Sequence, residues 1–301
     1  MATDVTISVP QAKSGISSIK AHMVTTSADA GSEITISLDS NESAFGPSPK
    51  ALTAAAAATY HLERYLENPA SILIPAIAAS HGLEPERLAI GFGSDDILAR
   101  IARAYLQPGT ALLRSQNSYL KVPNYAYAND AEALAAPDSN FCTNVDAMLA
   151  SLTPETRIVY LANPDNPSGA MLPGDEVRRL HAGLPGHVLL VIDGAYAEYV
   201  TDPAYATGED LVRAHDNVVV TRSFSKIHGL AGARVGWAYA APQVIDTITR
   251  ISLTFPLATP SLHAAVAALA DEDHRNYVRN ETAKLRDEAT LKLTDAGIHV
   301  Y

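Results

Sequence analysis

Cysteine, tryptophan and positive charge are scarce in this 301-residue chain, which has one cysteine, one tryptophan, and 22 lysines and arginines against 33 aspartates and glutamates. The lone thiol, Cys142, cannot close an internal disulfide or supply a cysteine-rich metal cluster, so a reducing, cytoplasmic setting is expected. A net charge of −11 leaves no basic field for nucleic acid or anionic lipid, and neither is expected as a partner. The ten histidines form no HxH or HExxH pair, so no metal site is expected. The longest aliphatic run, VLLVI at 188–192, is far short of a membrane span, and Asp4 interrupts any signal-like start.

What is there reads as globular. Gly 17 and Pro 18 are ordinary, 47% of residues are hydrophobic, and the length fits about two domains or one large α/β domain. Residues 1–33 are rich in Ser, Thr, Ala and Gly, which predicts a mobile arm ahead of the strand-like ITISL at 34–38. β-rich runs then alternate with helical patterns: RLAIG (87–91), TALLR (110–114), RIVYLA (157–162), HVLLVID (187–193), NVVVTR (217–222) and RVGWAYA (234–240). That alternation predicts an α/β fold. RIVYLA, HVLLVI and NVVVTR are apolar on successive residues, as central strands covered on both faces must be. Helices are expected at 95–106 and 174–183. A charged helical pattern from Asp271 to Asp295 should end at Gly297, with a new strand beginning at Ile298.

Ligands of open α/β sheets bind at the carboxyl ends of strands, and four loops there have unusual compositions. GFGSDD (91–96) sets two glycines before a helix start, where free N–H groups favour an anion and Ser94 would be a ligand; an ordinary turn with a Ser or Asp cap is the alternative. NPDNPSG (163–169) has two Asn-Pro steps that rigidify the loop and aim Asn166, or it is a plain surface turn. Asp193 ends the most apolar strand, and a buried carboxylate needs a partner such as a protonated ring nitrogen, with Tyr196 three residues on; it could otherwise cap the next turn. SFSKIHGLAGAR (223–234) places Lys226, alone among seven lysines, beside Phe224, Ile227 and Gly229. Partial desolvation would lower its pKa and free the amine for Schiff-base chemistry. Ser223, Ser225 and Arg234 could clamp a phosphate. GxxxxGK[ST] is absent, which disfavours a nucleotide hydrolase.

In this order the loops resemble fold type I pyridoxal-phosphate-dependent aminotransferases, most closely the histidinol-phosphate aminotransferase group, over residues 38–300. That group shows NEN-x-x-GPSP, here NESAFGPSP (41–49); RYPD, here RYLENP (64–69); GNGSDE, here GFGSDD; NPNNPTG, here NPDNPSG; VDEAY, here IDGAY; and TFSK-x-x-GLAG-x-R-x-G, here SFSKIHGLAGARVG. The resemblance implies a three-layer, mostly parallel sheet, with a large cofactor domain at 34–270 and an incomplete small C-terminal domain starting at 271–301. It implies pyridoxal 5'-phosphate as cofactor, bound to Lys226 as a Schiff base. Asp193 would hold the ring nitrogen, Asn166 and Tyr196 the ring hydroxyl oxygen, and Tyr119 would stack on the ring. The phosphate would take the backbone amides of Ser94 and Asp95, with Ser223, Ser225 and Arg234. Tyr65 would reach the phosphate of a second subunit, which implies a homodimer. The amino donor would be histidinol phosphate or an aromatic amino acid, and the acceptor a keto acid such as 2-oxoglutarate.

The departures concern substrate. The arm offers ISSIKAH (16–22) in place of a Pro-Tyr, FPLATPSLHA (255–264) lacks the usual Asn, and Gly194 stands where the group has Glu. The arginine that binds substrate carboxylate is expected beyond residue 301. A related decarboxylase, a noncatalytic cofactor-binding homologue and a phosphate-ester binder are the competing readings; intact Lys226, Asp193 and Arg234 favour the aminotransferase.

Overall fold

The computed structural model describes residues 11–19, 38–66 and 68–300. Most of the expected arm, and residues 34–37 of the expected strand, lie outside these. The part of the arm that is described, 11–19, is anchored: Gly15 N donates to Asp130 Oδ1 at 2.7 Å.

Among the described residues, seven strands form one sheet: β1 (Leu88–Gly91), β2 (Ala111–Ser115), β3 (Glu132–Ala136), β4 (Thr156–Ala162), β5 (Leu189–Asp193), β6 (Val218–Ser223) and β7 (Gly236–Ala240). Their spatial order is β1-β7-β6-β5-β4-β2-β3. β6, β5, β4, β2 and β3 run parallel, while β7 is antiparallel to both its neighbours. The three apolar runs do occupy the centre. β3 escapes the sequence pattern because its five residues, EALAA, carry little apolar bulk and sit at the sheet edge.

Among the described residues ten α-helices accompany the strands: α1 (Pro49–Ala57), α2 (Ala70–His81), α3 (Gly93–Tyr105), α4 (Val122–Tyr127), α5 (Val145–Ala150), α6 (Gly174–Ala182), α7 (Glu209–Ala214), α8 (Pro242–Arg250), α9 (Thr259–Ala270) and α10 (Glu272–Asp295). Alternating strand residues feed two cores, one per face. On one face Val159, Leu161, Leu190, Ile192, Val218 and Val220 pack with α1, α2, α5, α6, α7 and α9. On the other, Ile158, Tyr160, Leu189, Val191 and Val219 pack with α3, α4 and α8. The result is three layers, as expected of a mostly parallel sheet.

α10 spans the charged pattern and ends as the sequence predicts. Gly297, at φ +78°, follows the helix, and Gly297 N and Ile298 N return to Thr294 O and Leu293 O. The strand expected from Ile298 does not form: Ile298, His299 and Val300 belong to no ladder. Alternating apolar residues specify a strand only where a neighbouring strand accepts their backbone groups.

Candidate functional site

The four unusual loops meet at one edge of the sheet, on the face that carries α3 and α4. β5 delivers Asp193 and β6 leads into Ser223, while β7 begins just after Arg234. Because β7 runs antiparallel, its starting end joins the finishing ends of the parallel strands.

An anion cradle forms where β1 turns into α3. The helix begins at Gly93 with no side-chain cap, so neither Ser94 nor Asp95 plays the capping role. Asp96 instead reaches back and accepts from Phe92 N at 3.0 Å. The first-turn N–H groups therefore remain free to face a negative charge. Gly93 is required twice: its φ is +81°, and a Cβ there would strike the Arg234 guanidinium. Arg234 thus lies directly on the helix start, donating from Nη1 to Ala231 O at 3.0 Å and to Ser225 Oγ at 3.4 Å. Ser225 N in turn donates to Ser223 Oγ at 3.0 Å.

Asp95 serves a different purpose with its side chain. Its carboxylate accepts from Tyr125 Oη at 2.7 Å, Lys121 Nζ at 2.9 Å and Tyr119 Oη at 3.5 Å. Burial works against that charge, but these donors prevail and hold Asp95 below the usual carboxylate range. The bonds tie the start of α3 to the segment carrying Tyr119. Ser118 Oγ ties the same segment to the Asn-Pro loop through Asp165 Oδ1 at 2.6 Å.

The Asn-Pro loop is no surface turn. Asn163 and Asp165 are buried, both Asn-Pro bonds are cis, and the Asn163 side chain is bound on both atoms to the Leu172 backbone. Asn166 is left to point inward, its amide 3.5 Å from Tyr196 Oη. Asn41 Nδ2 donates to the same hydroxyl at 3.1 Å. Lys226 Nζ sits over the Tyr196 ring, 5.6 Å from its centre, and donates to Ser40 O and Asn41 O, each at 3.1 Å. Burial, joined by nearby Arg234, pulls the Lys226 amine below its ordinary pKa, against the pull of Glu42 and Asp95.

Asp193 is 6% exposed. Its Oδ2 accepts from Tyr160 Oη at 2.8 Å, and its Oδ1 from Thr221 Oγ1 and Ala195 N, each at 3.2 Å. It therefore does cap the following turn while also standing at the site. Burial raises its pKa in spite of these donors. Desolvation also raises Tyr119, reinforced by Asp95, Asp193 and Tyr196, which sets Tyr119 within the electrostatic reach of both ends of the site.

The expected residues thus converge, with one exception. Tyr65 is exposed and stacks on Phe255 with ring centres 4.1 Å apart, outside the cluster. Four further residues, Asn41, Tyr125, Tyr160 and Thr221, join the cluster without a local mark in the sequence. The last two could have been found from strand parity, since Tyr160 and Thr221 share a sheet face with Asp193 once β4, β5 and β6 are in register. No group of three or more metal-ligating side chains occurs among the described residues, nor is any helix long and apolar enough to cross a membrane.

Residues 33–301 match the family model described as aminotransferase class I and II. The chain belongs to that family. It is an enzyme, an aminotransferase of the pyridoxal-phosphate-dependent kind. It is 45% identical to the histidinol-phosphate aminotransferase of Rhodopseudomonas palustris strain TIE-1 over 263 residues, covering 87% of this chain and 72% of that relative. The corresponding enzyme of Nitrobacter winogradskyi is 44% identical over the same span. Among solved structures, histidinol-phosphate aminotransferase from Sinorhizobium meliloti in complex with pyridoxal-5'-phosphate superposes with a TM-score of 0.82 at 32% identity, covering 86% of this chain and 70% of that one. The aspartate aminotransferase of Rhizobium meliloti, at 22% identity and a TM-score of 0.81, shares the fold.

The site suits this cofactor on its own terms. An uncapped helix start with an arginine laid on it is suited to a phosphate, a buried carboxylate with no ion-pair partner among the described residues is suited to a protonated ring nitrogen, and in the same cluster stands an amine that burial has made easier to deprotonate.

Proposed function

We propose that the chain moves an amino group from histidinol phosphate, or a closely similar amino donor, to a keto acid such as 2-oxoglutarate. The observation that carries the reading is Lys226 Nζ over the Tyr196 ring and within electrostatic reach of Arg234 and Asp95 at the start of α3, in a chain whose neighbouring strand end carries the buried Asp193. The donor is taken from relatives bearing that name at 44–45% identity.

Pyridoxal phosphate would supply an aldehyde that accepts the amino group and a ring that draws electrons from the substrate α-carbon. Lys226 would carry that aldehyde, and its lowered pKa favours the neutral amine needed to attack a carbonyl or take a proton from the α-carbon. Asp193 would hold the ring nitrogen. Asn166 and Tyr196 would bond the ring hydroxyl oxygen, and Tyr119 would cover the ring face. The Ser94 and Asp95 amides, Ser223, Ser225 and Arg234 would bind the phosphate. We also propose a cytoplasmic homodimer in which Tyr65, exposed as it is, completes the phosphate site of the partner subunit.

Spectral half-reactions test the activity. The cofactor-loaded protein mixed with histidinol phosphate should lose its visible band and regain it with 2-oxoglutarate. No change with histidinol phosphate, alongside conversion by phenylalanine or tyrosine, would overturn the donor assignment. Light scattering tests the dimer, and a monomer at micromolar concentration would overturn it.

A further inference from the structure

We propose that Tyr160 is a positioning residue for Asp193, its hydroxyl fixing the carboxylate's orientation and supporting its charge so that one direction is left open to a ring nitrogen. The inference rests on the reading of Asp193 given above.

The geometry comes from strand register. Tyr160 on β4 and Asp193 on β5 point to the same face, both buried, with oxygen atoms 2.8 Å apart. A phenol beside a carboxylate is the donor, since burial and the nearby Asp193 charge drive the Tyr160 pKa well above its ordinary value. Thr221 Oγ1 and Ala195 N occupy the other oxygen. Two carboxylate oxygens offer about four acceptor directions, and three are filled. Tyr160 is the one described donor on Oδ2.

These donors matter because, among the described residues, no cation is paired with the carboxylate. Among the described residues no salt bridge reaches Asp193. The groups that act on Asp193, Tyr160 and Tyr119 on this face include Asp95, Asp165, Tyr125 and Tyr196, all acidic or neutral. Of the nearby cations, Arg222 feels the Asp193 charge but lies on the opposite face, paired with Glu209, and Arg114, the register partner of Tyr160, commits its Nη1 to the carbonyls of Ser115 and Gln116. A carboxylate out of water is sustained by hydrogen bonds or by paired charge. Here the hydrogen bonds are what is present, and a hydrogen bond to a charged group is worth more than a neutral one.

Tyr160→Phe removes the hydroxyl and keeps the ring that packs in the core on the α3 face of the sheet. The test compares the dissociation constants of pyridoxal phosphate and of its 1-deaza analogue, which has carbon in place of the ring nitrogen. Tyr160→Phe should weaken pyridoxal phosphate by about tenfold or more, and leave the deaza analogue within about twofold. Thr221→Val should shift the same ratio in the same direction by a smaller factor, which keeps the test open if the first variant folds poorly. Equal weakening of both ligands would mean that Tyr160 merely packs, and no weakening of either would mean that it does nothing for Asp193; both overturn the proposal. Asp193→Asn separates the role of Asp193 from that of Tyr160. If it fails to distinguish the ligands, the reading of Asp193 falls and takes this proposal with it. If it distinguishes them while Tyr160→Phe does not, this proposal falls alone.

Discussion

Asn41 holds Lys226 and Tyr196 together: its carbonyl accepts from Lys226 Nζ at 3.1 Å while its amide donates to Tyr196 Oη at 3.1 Å. Asn41 adopts φ +51°, a region open to asparagine more readily than to most residues. Asn41→Ala should therefore lose the Tyr196 bond and strain the turn. Turnover should fall by about tenfold, the value of one hydrogen bond in this range, with protein folded by circular dichroism. Unchanged turnover would leave Asn41 a bystander.

Lys226 should be the single lysine trapped by borohydride in the presence of pyridoxal phosphate. Peptide mapping reads the position. Label at Lys121, which is committed to Asp95 at 2.9 Å, or at any other lysine would refute the assignment.

Asp193→Asn should retain a phosphate-anchored cofactor but lose turnover by about a hundredfold or more, the scale on which preorganised electrostatic groups act. Steady-state kinetics at saturating cofactor checks it; activity within a few-fold of wild type would refute the role.

Asp165 stands where the resembled motif has asparagine, and burial lifts its carboxyl to about 6 despite the Ser118 hydrogen bond. The unfolded chain gives up this proton near pH 3.9. Between these values rising pH favours unfolding, because the unfolded state ionises first; above about 6 the native protein carries a costly charge. Asp165→Asn should therefore be more stable than wild type at pH 7.5, by about 1–3 kcal/mol, with the gain fading by pH 4. Urea denaturation at the two pH values measures it, and a variant less stable at pH 7.5 would contradict it.

Gly194 replaces the glutamate of the resembled motif, and the space belongs to Arg222. A Cβ on Gly194 would run into the Arg222 guanidinium, which is buried and paired with Glu209 at 2.8 Å and Glu198 at 3.9 Å. Gly194→Ala must displace that group. Breaking a buried pair costs about 3–5 kcal/mol, and a shifted one somewhat less. Denaturation should show a loss of about 2 kcal/mol or more, with cofactor affinity retained because Arg222 lies on the face opposite Asp193. An unchanged midpoint would show that Arg222 moves freely.

The sheet and most of the site were legible because both leave local marks. Central strands are apolar on every residue, and the loops after them keep glycines, prolines and hydroxyls in order along the chain. What escaped is nonlocal. β3 hides in an alanine-rich edge, Ile298–Val300 alternates without a partner strand, and Tyr160 looks like one more core aromatic until β4 is laid beside β5. Asp95 shows the same limit: its backbone was expected at the phosphate, but its side chain braces Tyr125 and Lys121 across 26 to 30 residues of sequence.

The reversal of β7 has a mechanical consequence. Lys226 and Arg234 both lie in the twelve residues, 224–235, that join β6 to β7, and those two strands are hydrogen-bonded neighbours. The connection is pinned at its mouth by Phe224 N donating to Val235 O at 3.0 Å and closed within by Leu230 N donating to Phe224 O. The amine and the guanidinium are therefore mounted on one bracket, and their spacing is set by a single hairpin-like closure instead of by the docking of separate loops. A disturbance elsewhere in the sheet would carry both groups along together, changing where they sit before it changes the separation between them.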